Sequence, residues 1–200
     1  MHLIYTLFIA LINNLDNISV RIAYSIRGIK ISTSKNLWIS VITFIISSLA
    51  AFSGNFLTKV LSSRISSILS MLLLIIIGSW IIVEPYFNKD SEDKVKQDPS
   101  IYNVLKKPEI ADLDNSKDID YKEATLLGIA MSVNNIGGGI SAGMIGLNSV
   151  LVGLFSAIIS FLALWTGNYI TEFFNKRNLG KKATFASGII LILIGIKQVI

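Results

Sequence analysis

Six long runs of apolar residues, separated by polar segments, dominate this sequence. They cover positions 3–26, 37–57, 65–83, 125–145, 150–170 and 183–200. An α-helix needs about 20 apolar residues to cross the roughly 30 Å hydrocarbon core of a bilayer, and each run is close to that length. The pattern predicts an all-α polytopic integral membrane protein with six transmembrane helices. No Lys or Arg precedes the first run, and Asn13, Asn14 and Asp16 interrupt it, which favours a mature helix over a signal peptide.

Composition agrees with a protein whose main solvent is lipid. Hydrophobic residues make up 52% of the chain and charged residues only 16%, with a mean hydropathy of +0.63. Soluble domains carry a larger share of charged residues. The sequence has no cysteine, which excludes metal sites built on thiolates and thiol redox chemistry.

The formal charge of +5 raises the possibility of nucleic-acid binding, so the distribution of basic residues has to decide. The short connections after the first, third and fifth runs share one side and contain Arg27, Lys30, Lys35, Lys176, Arg177, Lys181 and Lys182. The opposite side holds Lys59, Arg64 and Lys197. By the positive-inside rule, the first side is cytoplasmic and both termini are extracytoplasmic. The distribution of charge is therefore explained by the orientation of the helices in a cell membrane. The predicted partner is the lipid bilayer and not nucleic acid.

The chain divides into three segments. Residues 1–85 and 123–200 each contain three apolar runs, and residues 86–122 form a charged connection between them. Nine acidic and six basic residues, together with Pro99 and Pro108, lie between Tyr86 and Asp120. This composition predicts a flexible cytoplasmic linker, and it leaves open a metal-binding role for its acidic run at 112–120.

The two three-helix segments repeat each other in sequence. Positions 15–18 (LDNI) align with 133–136 (VNNI), 46–50 (ISSLA) with 159–163 (ISFLA), and 53–58 (SGNFLT) with 166–171 (TGNYIT). Ser70 and Gly78 match Ser187 and Gly195 at equal separation. Because each repeat has an odd number of spans, the second enters the membrane from the opposite side. The sequence thus predicts two inverted three-helix repeats, an architecture common among transporters.

Polar residues in the first and fourth runs form the candidate metal site. Asp16 lies near the bilayer centre, where an aspartate costs about 2.5 to 3.5 kcal/mol on insertion scales. Helical spacing places Asn13 and Asn17 on the same face as Asp16, and Asn134 and Asn135 reach the same depth from the other repeat. Carboxylate and amide oxygens suit hard or borderline cations such as Mn²⁺, Mg²⁺ or Na⁺. We predict a transported cation as substrate and no resident cofactor.

Three features leave alternatives open. The Asp and Asn side chains could serve only as hydrogen-bonding contacts between helices. Arg21, five residues after Asp16, could pair with that carboxylate. The run Gly137–Gly139 predicts either a bend that exposes carbonyl ligands or a close approach of another helix. The sequence contains no catalytic motif, so it does not favour an enzyme.

The paired signatures at 14–17 (NLDN) and 132–135 (SVNN) resemble those of the manganese efflux pump family MntP, and the resemblance covers nearly the whole chain. The segment 23–31 is similar to the sporulation membrane protein branch of that superfamily. The resemblance implies six spans, a plasma-membrane location and export of Mn²⁺ through a site that uses an aspartate from each repeat. Asp16 matches the first of these aspartates, and Asn134 stands at the second.

Three hypotheses about function follow. The first is efflux of a divalent cation, Mn²⁺, through a site between the first and fourth spans. The second is a non-transporting membrane scaffold or interaction protein in sporulation. The third is an amino-acid exporter of similar inverted architecture. The oligomeric state stays open.

Overall fold

The structure, a computed structural model, describes residues 2–27, 29–87, 111–114 and 116–177, together with helical positions 189, 192, 193 and 196. Six helices are defined in these ranges: α1 (His2–Asn13), α2 (Leu15–Arg27), α3 (Thr33–Val60), α4 (Ser63–Phe87), α5 (Tyr121–Met144) and α6 (Ser149–Arg177). The described residues form no strand, only an isolated bridge between Lys30 and Asp118. The predicted all-α class is confirmed. The predicted sixth span at 183–200 lies outside the described residues apart from the four helical positions.

Two described helices are long and apolar enough to cross a membrane: α3, and residues 149–166 of α6. Shorter apolar helices occur at residues 2–13 and 64–77. The outer faces of α3 and α6 expose large apolar side chains at helical spacing, among them Leu49, Phe52, Phe56, Leu154, Ile158 and Leu162. A surface of this kind is suited to lipid, because in water it would form an unusually large apolar patch.

Contacts near both ends define the directions of the helices. Near the start of α3 and α5, Trp38 Nε1 donates a hydrogen bond of 2.9 Å to Thr125 Oγ1. Near their ends, Asn55 Nδ2 donates to Leu147 O (3.0 Å) and to Ser149 Oγ (2.8 Å). Thus α3 and α5 run in the same direction, and α6 begins where α3 ends.

The first segment runs against α5. Ile9 of α1 belongs to a buried apolar cluster with Ala142 near the end of α5, whereas Tyr24 of α2 belongs to one with Leu127 near its start. Near the middle, the place where Gly138 would carry a Cβ is filled by the Asn13 amide. The directions of α1 and α2 are therefore opposite to that of α5.

Small residues let α3 and α5 approach closely. A Cβ at Gly143 would collide with the carbonyl oxygen of Ala51, and one at Gly54 with that of Ile140. A Cβ at Gly139 would lie 2.8 Å from Ala50 Cβ. Glycine and alanine remove side-chain bulk at such contacts, as is common where helices pack inside membranes.

Both ends of α5 have specific sequence signals. Asp120 Oδ1 accepts from the N–H of Glu123 (2.7 Å), and Glu123 Oε2 accepts from the N–H of Asp120 (3.0 Å), which forms a capping box. At the other end, Gly146 has φ +77°, and Leu147 N–H donates to Ala142 O (3.0 Å). Glycine adopts this left-handed conformation without the steric cost of a Cβ.

The end of the charged linker packs against the loop after α2. Lys30 N–H donates to Lys117 O (2.9 Å), and Ile119 N–H donates to Lys30 O (3.1 Å). The Lys35 ammonium lies 2.7 Å from an Asp118 carboxylate oxygen, and Ile119 is fully buried. An apolar side chain and backbone pairing hold residues 116–120 against the helices, and the flexibility of the linker stays a prediction. Residues 88–110 lie outside the described part.

Candidate functional site

The first membrane segment is interrupted at Asn14, where the sequence predicts one continuous helix from 3 to 26. The N–H of Asn14 donates to Leu11 O, three residues back, at 3.2 Å. Its side-chain Nδ2 donates to Ala10 O at 2.8 Å. In a continuous helix, the backbone N–H of residue 14 would donate to this carbonyl. The side chain thus replaces a backbone donor, so the helix can break inside the bundle without losing that hydrogen bond.

By contrast, α5 is helical throughout Gly137–Gly139. Of the two alternatives that the glycine run left open, the structure supports close packing. Gly137 faces Ile77, Gly138 faces Asn13 and Gly139 faces Ala50. The bend that was one of the two alternatives for the fourth span does not occur there, and the helix is interrupted in the first segment, where the Asn14 side chain satisfies the carbonyl of Ala10.

Five buried side chains form a hydrogen-bonded group around the break, here called the asparagine network: Asn14, Asn17, Ser47, Asn135 and Ser160. Asn14 Oδ1 accepts from Asn17 Nδ2 (3.0 Å) and from Asn135 Nδ2 (3.4 Å). Asn17 Nδ2 also donates to Ser160 Oγ (2.9 Å), and Asn135 Nδ2 donates to Ser47 Oγ (3.2 Å). Each of these residues is at most 1% exposed. The network therefore connects α2, α3, α5 and α6 at one place.

The network follows the sequence repeat. In the alignment of the two halves, Asn17 corresponds to Asn135 and Ser47 corresponds to Ser160. The bond from Asn17 to Ser160 and the bond from Asn135 to Ser47 are therefore equivalent, each joining one half to the other. The sequence match extends to side-chain contacts.

The structure brings together three of the five predicted metal-site residues. Asn13, Asn17 and Asn135 are buried where α1 and α2 meet α5. Asn134 lies next to Asn135 in α5 and is exposed. Position 16 lies in α2 directly before Asn17, and its side chain lies outside the described part of the chain. The predicted roles of Asp16 and of its pairing with Arg21 stay predictions.

Sequence reasoning missed three members of the network as site residues. Asn14 was noted only as part of a motif, although a second consecutive amide in an apolar run was a signal that it has a partner. In the sequence, Ser47 and Ser160 stand out only as matched positions of the aligned segments 46–50 and 159–163. Their correspondence in the repeat could have identified them, because both align at the depth of the paired asparagines.

Chemically, the network presents amide and hydroxyl groups in an apolar bundle. The Oδ1 atom of Asn135 is buried and has no hydrogen-bond partner among the described residues. A buried carbonyl oxygen without a donor is costly unless an ordered water or a bound ligand uses it. Amide oxygens of this kind coordinate hard cations. Arg21, one turn farther along α2, is also buried, so cationic charge lies near the same interface.

A second acidic group lies outside the bundle. One carboxylate oxygen from each of three residues lies within 4.8 Å of the others: Asp112, Asp114 and Glu123. Both Glu123 oxygens accept backbone N–H groups, and Asp114 Oδ1 accepts from the N–H of Ser116 (2.9 Å). Hydrogen bonding to Ser116 lowers the pKa of Asp114 below its ordinary value. Backbone capping accounts for the arrangement, and the metal-binding role considered for 112–120 stays untested.

Fold and site together define a class of protein. It is an apolar helical bundle with a buried polar centre, and two halves of related sequence share that centre. The family model described as "Putative manganese efflux pump" (Mntp) matches residues 63–199. The chain belongs to this family, and the resemblance stated from its motifs is confirmed. An efflux pump acts across a membrane, in agreement with the apolar helices described above.

Individual relatives cover the chain to different extents. It is 31% identical to the "Probable sporulation protein YtaF" of Bacillus subtilis (strain 168), over 98% of this chain and 99% of that protein. It is 27% identical to the "Putative manganese efflux pump MntP" of Clostridium perfringens (strain SM101 / Type A), over 64% of this chain and 60% of that protein. A protein of the same description from Methanocorpusculum labreanum is 34% identical over 41% of this chain and 44% of its own length. No solved structure matches.

Proposed function

We propose that this protein exports a divalent cation, with Mn²⁺ as substrate, through the interface between the first membrane segment and α5. The asparagine network carries the proposal, since it places amide oxygens in an apolar bundle next to position 16. Asp16 supplies negative charge, and Asn13, Asn17 and Asn135 supply neutral oxygen ligands. Asn134 joins them from the outer side of α5 when the site opens.

The same network supports six spans arranged as two inverted repeats. The first segment runs opposite to α5, and α3 runs opposite to α6, so both pairs of counterparts that the structure describes are antiparallel. Two inverted halves can rock about a central site and expose it to one side of the membrane at a time. The equivalent bonds from Asn17 to Ser160 and from Asn135 to Ser47 lie where such a motion would pivot.

The orientation in the cell membrane follows from charge. The basic loop after α2 belongs to the cytoplasmic side, with both termini extracytoplasmic. The ion pair between Lys35 and Asp118 supports the same side for the end of the linker, because it holds that segment against the basic loop.

The test is export in a manganese-sensitive bacterium that lacks its own exporter. The wild-type chain should restore growth in added Mn²⁺ and lower cell manganese, whereas Asp16→Asn should lose the effect because an amide carries no charge to balance the cation. Asp118→Asn is the matched control, since it removes an equal charge at an exposed position outside the bundle. Immunoblots of membranes establish equal expression. Equal cell manganese with wild type, Asp16→Asn and empty vector would reject export.

A gain-of-function variant sharpens the test. Asn134→Asp places a second carboxylate at the position equivalent to Asp16, and a second negative charge balances a divalent cation better than one. We expect lower cell manganese than with the wild type at the same expression. Asn148→Asp, in the exposed loop before α6, adds the same charge away from the interface and should change nothing.

A non-transporting scaffold in sporulation is the second candidate. It is favoured by the full-length similarity to a protein named for sporulation, and by the hydrogen bonds with which the buried asparagines join helices. Under this reading, wild type and Asp16→Asn both leave cell manganese unchanged, and deletion of the gene reduces spore yield equally with or without added Mn²⁺.

A further inference from the structure

We propose that Asn14 is the positioning residue of the cation site: it orients the amides of Asn17 and Asn135 so that their carbonyl oxygens serve as ligands. The inference rests on the proposed export function. Asn14 itself contributes no ligand, since its amide nitrogen and its Oδ1 are both used in hydrogen bonds within the protein.

The backbone carbonyl oxygen of Ala10, which can only accept a hydrogen bond, determines the orientation of the Asn14 side chain. Its Nδ2 lies 2.8 Å from Ala10 O, a backbone carbonyl, so the amine end of the side chain must face that way. Its Oδ1 then faces the two neighbouring asparagines, at 3.0 Å from Asn17 Nδ2 and 3.4 Å from Asn135 Nδ2. An acceptor requires donors, so both neighbours must present their amine ends to it. The orientation of the Asn14 amide thereby determines the orientations of the Asn17 and Asn135 amides.

The consequence is clearest at Asn135. Its Nδ2 donates to Asn14 Oδ1 and to Ser47 Oγ, which uses both amide protons. The remaining atom, Oδ1, is buried and has no hydrogen-bond partner among the described residues. A flipped Asn135 would bury an amine where a cation must bind. Asn14 prevents that flip, because its Oδ1 would then face another oxygen.

Among the described residues, the second half has no equivalent of this connection. Ser132 aligns with Asn14, and its Oγ donates to Gly128 O (2.6 Å), also four residues back. Within the described part of the chain, this hydroxyl otherwise contacts Thr43 Oγ1, at 3.2 Å, and bonds to none of the network asparagines. The carbonyl cap is thus common to both halves, whereas the bridge between the first segment and α5 belongs to Asn14 alone.

Two substitutions separate the hydrogen bond of Asn14 to Ala10 O from its hydrogen bonds to the neighbouring asparagines. Asn14→Ser retains a donor for Ala10 O, as Ser132 shows for the other half, but is too short to reach Asn135. Asn14→Asp retains the acceptor for Asn17 and Asn135 but cannot donate to Ala10 O. A positioning role predicts that Asn14→Ser is impaired and that Asn14→Asp is not. A role in helix capping alone predicts the reverse.

The first measurement is Mn²⁺ uptake into inverted vesicles or proteoliposomes as a function of concentration. For Asn14→Ser we expect the half-saturating Mn²⁺ concentration to rise about fivefold to tenfold, equal to about 1 to 1.4 kcal/mol, with the maximal rate within about twofold of wild type. Asn14→Asp should keep a half-saturating concentration at or below that of wild type. Wild-type affinity with Asn14→Ser would overturn the proposal.

A second measurement does not require transport, so failure of the export function and failure of this inference are distinguishable. The chain has no cysteine, and Gly138 lies against the Asn13 side chain, which makes Asn13→Cys with Gly138→Cys a reporter of the contact between α1 and α5. Oxidative cross-linking of this pair should be equally fast with Asn14 and Asn14→Asp and several-fold slower with Asn14→Ser. Equal rates in all three backgrounds would overturn the positioning role even if the protein exports Mn²⁺.

Discussion

Asn17 donates a hydrogen bond of 2.9 Å to Ser160, and the equivalent pair in the repeat, Asn135 and Ser47, makes the same contact at 3.2 Å. Each bond crosses from one half of the protein to the other. The centre of the bundle is therefore held by two matched polar contacts, and Asn14 joins them. Loss of either contact should weaken the association between the halves more than it disturbs a single helix.

A double-mutant cycle measures this contact. We expect Asn17→Ala and Ser160→Ala, alone and combined, to show a coupling free energy of about 0.6 to 1.7 kcal/mol, the range seen for hydrogen bonds between helices in membranes. Unfolding in mixed detergent micelles gives the stability of each variant. Ser53→Ala is the control, since its exposed hydroxyl bonds only to Leu49 O in its own helix. A coupling of zero would mean that the bond does not hold the halves together.

Close packing of α3 on α5 should make Gly143 intolerant of a side chain. A Cβ there would collide with the backbone at Ala51 and lie 2.7 Å from Asn55 N, and backbone cannot move aside as a side chain can. We expect Gly143→Ala to destabilise the protein by about 2 kcal/mol or more. Gly137→Ala meets only the flexible end of Ile77, so it should cost less than about 1 kcal/mol. Thermal denaturation in detergent compares them, and equal midpoints would contradict the prediction.

The capping box predicts the effect of changes at Glu123. Its carboxylate accepts the N–H groups of Leu113 (2.7 Å) and Asp120 (3.0 Å), so Glu123→Ala leaves two donors without this acceptor and should cost about 1 to 2 kcal/mol. Glu123→Gln keeps one acceptor oxygen and should cost less. Lys122→Ala, at an exposed neighbouring position, is the control. Hydrogen exchange of the 121–125 backbone reports the fraying directly, and unchanged protection in Glu123→Ala would count against the cap.

We expect acid to destabilise the folded end of the linker by protonating Asp114. Hydrogen bonds from Ser116 lower the pKa of this carboxyl, so the folded segment favours the carboxylate. The resulting stabilisation is present above the ordinary pKa of an aspartate and is lost as pH falls through the lowered pKa. Ser116→Ala should raise the pKa of Asp114 toward its ordinary value, measured by NMR titration of the carboxyl carbon. An unchanged pKa would assign the shift to the backbone N–H of residue 116, which also donates to Asp114 and which the substitution keeps.

Part of this architecture could be derived from sequence because its signals are local. The apolar runs at 37–57 and 150–170 predicted α3 and α6, since length and hydropathy suffice to identify a helix that lipid can surround. Asp120 and Glu123, three residues apart, form a motif for the start of α5 that can be recognised in any fold. The alignment of the two halves pairs two hydrogen bonds, from Asn17 to Ser160 and from Asn135 to Ser47, and the six-span inverted repeat stays a proposal.

The break at Asn14 could not be derived in this way. Three consecutive glycines are the stronger helix breakers by intrinsic propensity, yet α5 continues through them because neighbouring helices fill the space beside each one. The first segment contains no glycine between residues 2 and 27 and nevertheless breaks, since the Asn14 side chain supplies the donor that the backbone loses. Packing and a side-chain hydrogen bond override local propensity at both places.

Hydropathy along the chain was sufficient to determine the helical class and the membrane setting, because both depend on residues close in sequence. Which hydroxyls Asn17 and Asn135 bond to, and that Asn14 meets Asn135, were decided only by the tertiary structure. Those relations join residues more than 80 positions apart, and side chains at such separations become neighbours only when helices pack.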